Sequence, residues 1–474
     1  MVDRRVGLLA LMVGLLVACP AWAQIANNGN NGVNNANNTN NGGNAFGAAG
    51  VVIDANGVLS MKFAADPRGA LTRQRIEQAK IKLNKDVAKP SELRKISLQR
   101  LEKAIADLVA KGDKPTEDME ALAGLTRVQY VFFYPETKDI VLAGPAEGYM
   151  ADAGGRLVGI NTGAAIVMLE DLVAALRAYP PSGGGVHQIR CSIDPTKEGL
   201  QKMQEFVIAV HKSNPRPSDA GLIAGGLKEK LGLQDVSING VSPKSHFAQV
   251  LVEADYRMKL IGIGLETPPV KISSYISKAN PRDVARNGLQ RWYFTPDYEC
   301  IKVAGDDLAM EMVGQGVKLI GEDELVNADG SRAVNGAHNN GASKAFTESF
   351  TKLYPELAKK SPVYAQLKNV IDLAIAAAFM QEKDYYGRAG WKMEVLGDER
   401  AVPVETCDVP KHVESTVNVV WRGNMLMTPI GGGVSILPRQ ALESGNLQKD
   451  DGKVAATKEK IDLSKLGAGQ WWWD

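Results

Sequence analysis

Residues 361–382 read SPVYAQLKNVIDLAIAAAFMQE, and this stretch decides the fold. Ser361-Pro362 opens a helix, because proline suits the first helical turn, and Val363, Leu367, Val370, Ile371, Ala374 and Ala378 then recur at helical spacing. Leu373, Ile375 and Phe379 fill the remaining sides, so the helix is apolar almost all round and must be enclosed by other structure. Lys368, Asn369 and Asp372 make it too polar to be read as a membrane span. The rest of the chain therefore has to supply a shell around it.

Working outward, Phe346, Phe350, Leu353 and Leu357 mark a second helical stripe, interrupted at Pro355. Downstream, Thr416 to Trp421 and Met425 to Thr428 read as paired strands, and Val434 to Leu437 as another. Gly431-Gly432-Gly433 lies between strands as a turn or a close backbone approach. Toward the N-terminus, Asn56-Gly57 joins two apolar runs as a hairpin. Two helices follow, marked by Leu71, Ile76, Ala79 and Leu83 and by Leu93, Leu101, Ala104, Ile105 and Leu108. From Val128 to Ala143 the residues favour strands. Extended and helical segments then alternate, with helices opening at Asp194-Pro195 and Ser242-Pro243. Short strands follow between Arg291 and Ile320.

The predicted fold class is mixed α+β, with an N-terminal helical hairpin, a central alternating strand and helix region, a β-rich segment, and C-terminal helices with a few strands. The expected divisions are a signal peptide over 1–23, an Asn/Gly-rich tether over 24–49 and a mixed body over 50–326. Within that body lie the hairpin (70–124), an α/β part (125–265) and a β-rich part (266–326). A Gly/Asn loop over 327–341, a helix and strand region over 342–439 and a polar tail over 440–474 ending in Trp471-Trp472-Trp473-Asp474 complete the chain.

The chain has 474 residues, with 55 Lys+Arg against 54 Asp+Glu, so no net field draws it to a polyanion and nucleic-acid binding is not expected. Arg4 and Arg5, the apolar run from Val6 to Ala18 and Ala21-Trp22-Ala23 form a secretory signal, with cleavage expected between Ala23 and Gln24. Leu16-Val17-Ala18-Cys19 also fits a lipobox, which would acylate Cys19, but the proline after Cys19 and the complete Ala-x-Ala triplet favour Gln24 as the new N-terminus. The expected location is thus the periplasm, the cell envelope or the exterior, with no transmembrane helix in the mature chain. Cys191, Cys300 and Cys407 remain after cleavage; an odd count leaves at least one thiol unpaired, and their spacing suits neither a disulfide framework nor zinc.

No Walker A loop, GxGxxG after a strand, HExxH, GxSxG or EF-hand loop occurs, so no cofactor or metal is expected and no catalytic residue can be named. His187 and Cys191 share a strand face, but roughly 13 Å of strand separates them, too far for a direct hydrogen bond. Asp297 and Glu299 would share a face about 7 Å apart, as in inverting glycosidases, although any such strand pair does so and solvated carboxylates are the ordinary reading. Asp306-Asp307 and Glu322-Asp323-Glu324 read as acidic turns that could hold a hard cation such as calcium, with solvated turn charges as the ordinary reading in the absence of a known loop pattern. Glu253 with Arg257, and Asp255 with Lys259, have the spacing of surface ion pairs on a helix. The three tryptophans at 471–473 would stack on a sugar, fill a partner's groove or pack back on their own domain.

Four segments carry a family resemblance: Tyr134-Pro135-Glu136-Thr137 with Asp139 to Gly148, Cys191 to Pro195, Val250 to Lys259, and Val313 to Leu319. Through them the chain resembles, from about Leu125 to Leu437, an uncharacterised family of exported proteins, classed as a domain of unknown function and known mainly from planctomycete bacteria. That resemblance implies a place in the cell envelope and brings no activity, partner or site residue. The expected function is a non-catalytic binding or structural protein. The alternative is an envelope hydrolase with an acidic site within 297–324.

Overall fold

The structure, a computed structural model, describes residues 46–474 apart from 281–287, 298, 328, 330–331, 335–340, 422–424, 462, 464–465 and 468. The leader with Cys19, Ala23 and Gln24, and nearly all of the Asn-rich stretch, lie outside the described residues. The described residues form one compact unit of mixed α+β architecture.

A large sheet runs in the order Phe46–Ile53, Val58–Ala65, His412–Glu414, Leu233–Asn239, Ile189–Pro195, Met425–Ile436, Gly288–Pro296, Val317–Val326, Arg332–Val334, with Val417–Trp421 also paired to Met425–Ile436. Strands distant in sequence thus become neighbours. Met425–Ile436 is antiparallel to Ile189–Pro195 and parallel to Gly288–Pro296, with Gly432 opposite Trp292. The three glycines are inside this single strand rather than between two, and a Cβ on Gly432 would overlap the Trp292 carbonyl. Only glycine permits so close a backbone approach at its φ of 126°.

A smaller sheet runs Leu447–Lys449, Ile301–Val303, Ala309–Met312, Tyr130–Tyr134, Asp139–Ala146, Ser91–Ser97, Trp472–Trp473. Two corrections follow from it. Ser91–Ser97 is a strand, so Leu93 belongs to no helical stripe; Pro90 breaks the helical run, and the second helix begins at Leu98 with Ser97 as its cap. The segment over 440–474 is likewise no mere polar tail, because its strands close both edges of this sheet.

Helix starts also shift. Asp194-Pro195 ends a strand, and Thr196 caps Lys197–Lys212 through its hydroxyl; Ser245, not Ser242, caps His246–Gly262. Pro355 does not interrupt its helix, which runs unbroken over Gly341–Lys360. The anticipated central helix, Pro362–Glu382, is buried from Leu367 to Met380. It is long and apolar enough to cross a membrane, and 89% of its apolar window is buried inside the fold. Helices Leu169–Ala178 and His246–Gly262 pack against it, and His246–Gly262 also covers the Ile189–Pro195 and Met425–Ile436 strands of the large sheet.

Candidate functional site

Helix His246–Gly262 is covered by the large sheet and by Pro362–Glu382, so its polar face cannot reach water. Asp255 and Lys259 are fully buried, and Glu253 and Arg257 retain only 4% and 6% exposure. The surface ion pairs expected from spacing are interior pairs instead. Lys259 Nζ donates to Asp255 Oδ2 at 2.8 Å, to the Ile193 carbonyl at 2.8 Å and to the Gly432 carbonyl at 3.2 Å. Three acceptors for three ammonium hydrogens make the buried charge tolerable. Asp255 is less well served: Oδ1 lacks a hydrogen-bond partner, and burial pushes its carboxyl up to about 6 against the pull of Lys259.

A second chain of polar contacts leads outward from the same helix. Glu253 accepts twice from Arg156 Nη2, at 2.6 Å each, and sits 3.5 Å from Arg257, which also pairs with Glu266 at 2.7 Å. Arg156 Nη1 donates to Gln366 Oε1 at 2.6 Å, and the Gln366 amide nitrogen lies 3.4 Å from His246 Nε2. His246 Nδ1 meets Asp171 at 2.9 Å and lies 4.0 Å from Glu170. Burial alone lowers the His246 pKa, but the charge and hydrogen bond of Asp171, with Glu170 behind them, outweigh it and hold it at about 9. His246 is also the first residue of its helix, where the helix dipole disfavours a cation, so these carboxylates are what keep the imidazolium.

Glu170 opens onto a cavity of about 540 Å³ at the start of Leu169–Ala178, whose walls include Val109, Lys114, Glu120, Met168, Val402 and Thr406. Burial raises the pKa of Glu170 while His246 lowers it, and the Thr406 hydroxyl donates to it at 3.3 Å. Burial and the nearby Glu117 raise Glu120 as well. Arg400 is held by Asp398 at the exposed rim. The cavity therefore presents the half-buried Glu170 carboxylate on its wall, with Glu120, Lys114 and Arg400 at exposed positions around it.

The sequence candidates lie elsewhere. His187 is exposed while Cys191 is fully buried, and burial pushes that thiol well above its ordinary range, so no Cys-His couple forms. Asp297 and Glu299 share no strand face, because the strand ends at Pro296 and the chain turns. Asp306 accepts from the Leu308 amide and Asp307 pairs with Lys383 at 3.0 Å, whereas Glu322-Asp323-Glu324 is no turn but lies inside the strand Val317–Val326, with Glu322 exposed; the Asp323 and Glu324 side chains lie outside the described residues. Cys191, Cys300 and Cys407 are all free thiols. Among the described residues no cluster of three or more His, Cys, Asp or Glu is placed to hold a metal. Asp171, His246, Gln366 and Arg156 carried no sequence signal, since they are scattered along the chain and meet only through packing.

A pH dependence follows. The folded protein holds the His246 proton more tightly than the unfolded chain, so this stability is complete below about pH 6.5 and is lost as pH rises to about 9. Denaturant unfolding is expected to show a loss of about 3 kcal/mol across that window, removed in His246→Gln. Asp255, with its raised pKa, adds a separate fall between about pH 4 and 6. An identical slope above pH 6.5 in wild type and His246→Gln would refute the assignment.

Residues 191–275 match a family model described as a protein of unknown function (DUF1598). That span carries the buried ion pairs of His246–Gly262 and His246 itself. No curated protein and no solved structure matches the chain.

Proposed function

We propose that the protein is an exported, non-catalytic binding protein, and that its ligand is a small molecule bearing an amine, held in the cavity beside Glu170. One observation carries this reading: the cavity of about 540 Å³ has the size of a small-molecule site and places Glu170, backed by His246, on its wall. A ligand ammonium group there would meet the Glu170 and Glu120 carboxylates, and Met168, Val109 and Val402 would cover its hydrocarbon part. His246 Nδ1 is already engaged by Asp171, which favours a charge-holding role over proton transfer. Asp297, Asp306, Asp307 and Glu322 sit on separate turns and strands, an arrangement that favours binding over the hydrolase alternative. Export rests on the leader sequence, and the resemblance to exported planctomycete proteins supports the same location.

The test is thermal unfolding and calorimetry with diamines and polyamines, putrescine and spermidine first. A bound amine at a hundred times its Kd is expected to stabilise the fold by about 2.7 kcal/mol, and Glu170→Gln to abolish the effect. Absence of any amine-dependent stabilisation of the folded wild type, or an equal response in Glu170→Gln, would overturn the proposal.

A further inference from the structure

We infer a second binding site, separate from the Glu170 cavity, in which Trp472, anchored by Trp471 and Trp473 on either side, holds a β-1,4-linked oligosaccharide. A groove of about 470 Å³ is lined by Asp86, Lys89 and residues 469–474, among which Trp472 keeps the most indole surface in solvent. The indoles are fixed in place by the smaller sheet. Trp472 pairs with Ile96 and Trp473 with Lys95, and the Trp471 carbonyl accepts from the Ser97 amide at 3.0 Å. Trp471 and Trp473 are 8% and 9% exposed and act as anchors, whereas Trp472 keeps more of its surface in solvent.

Beneath Trp472 lies Arg94, fully buried, with its guanidinium carbon 4.6 Å from the indole centre. Arg94 is itself immobilised. It donates to the carbonyls of Val87, Ala123, Asp86 and Lys89 and pairs through two nitrogens with the Asp474 side chain, at 2.8 and 3.0 Å. A guanidinium stacked on one face of an indole holds the ring still, so a ligand that stacks on this platform need not pay to order it.

The chemistry of the groove selects the ligand class. Flat aromatic surface calls for an equally flat apolar face, and the surrounding lysine, carboxylates and amide call for many hydroxyl groups at its edge. A pyranose ring with equatorial substituents offers both, and β-1,4 linkage keeps successive rings extended and flat. Lys89 is offset by Asp86 at 2.8 Å, and Asp474 by Arg94, so the groove carries no surplus charge that would demand an ion.

Isothermal titration calorimetry of the chain from Gln24 with cellohexaose and with chitohexaose, using maltohexaose as the bent control, tests the site. Saturable binding of at least one β-1,4 oligomer is expected. Trp472→Leu should weaken it about tenfold and Lys89→Ala, at an exposed position, several-fold without shifting the unfolding midpoint, whereas Glu170→Gln should leave it unchanged. The inference fails if neither β-1,4 oligomer binds the folded wild type, if maltohexaose binds as well, or if Lys89→Ala and a folded Trp472→Leu bind like wild type. Because Glu170 takes no part, loss of this site and loss of the amine site are read separately.

Discussion

A chain shortened after Gln470 is expected to lose more than about 5 kcal/mol of stability, enough to leave most of it unfolded or degraded. The shortening removes an edge strand of the smaller sheet and two nearly buried tryptophans, and truncating one buried tryptophan to alanine ordinarily costs about 3–5 kcal/mol. Trp473 lies in a local core with Phe132, Val141, Ala309 and Val454, so its loss opens that core to water. It also takes Asp474 from Arg94, a cation with no exposed surface. Trp473→Ala alone is expected to cost about 3–5 kcal/mol in urea unfolding. Should the shortened chain unfold at the same urea concentration as the full one, the strand is an ornament and not part of the core.

Lys259→Met is the second large effect, expected to destabilise the protein by about 3–5 kcal/mol at pH 8, because it leaves the ionised Asp255 carboxylate buried without a counter-charge. The double variant Asp255→Leu with Lys259→Met is expected to return to within about 1 kcal/mol of wild type, since replacing both members of a buried pair removes both desolvation penalties. The loss in the single variant should shrink near pH 5, where the Asp255 carboxyl, already pushed up to about 6, takes a proton. Denaturant midpoints of wild type, Lys259→Met, Asp255→Leu and the double variant decide it: a Lys259→Met midpoint equal to wild type at pH 8 would show that the pair contributes nothing.

Helix His246–Gly262 shows how far local pattern reaches. Phe247, Val250, Leu251, Ala254, Met258 and Ile261 mark it as a helix with one apolar face, and all six are buried. The same spacing gives Asp255 and Lys259 as an i,i+4 pair, and that spacing is identical whether the pair faces water or a sheet. Burial of the polar face follows from a second layer, built by the strands Ile189–Pro195 and Met425–Ile436, which no local pattern announces. Ser91–Ser97 is a related case: Leu93 fits a helical stripe with Leu101, Ala104 and Leu108, and pairing with Asp139–Ala146 and Trp472–Trp473 settles the segment as a strand.

The order of residues by itself determined the apolar-all-round Pro362–Glu382 helix, the mixed α+β class and the Asn-Gly hairpin, because each follows from the period or the backbone freedom of a short segment. Only the tertiary structure decided that Asp171, His246, Gln366, Arg156 and Glu253 meet in one line, that Arg94 lies beneath Trp472, and that Lys259 is held by carbonyls of two different strands. Those contacts join residues far apart along the chain. Their energy depends on exclusion of water and on the geometry of three or more elements at once, which no window of sequence contains.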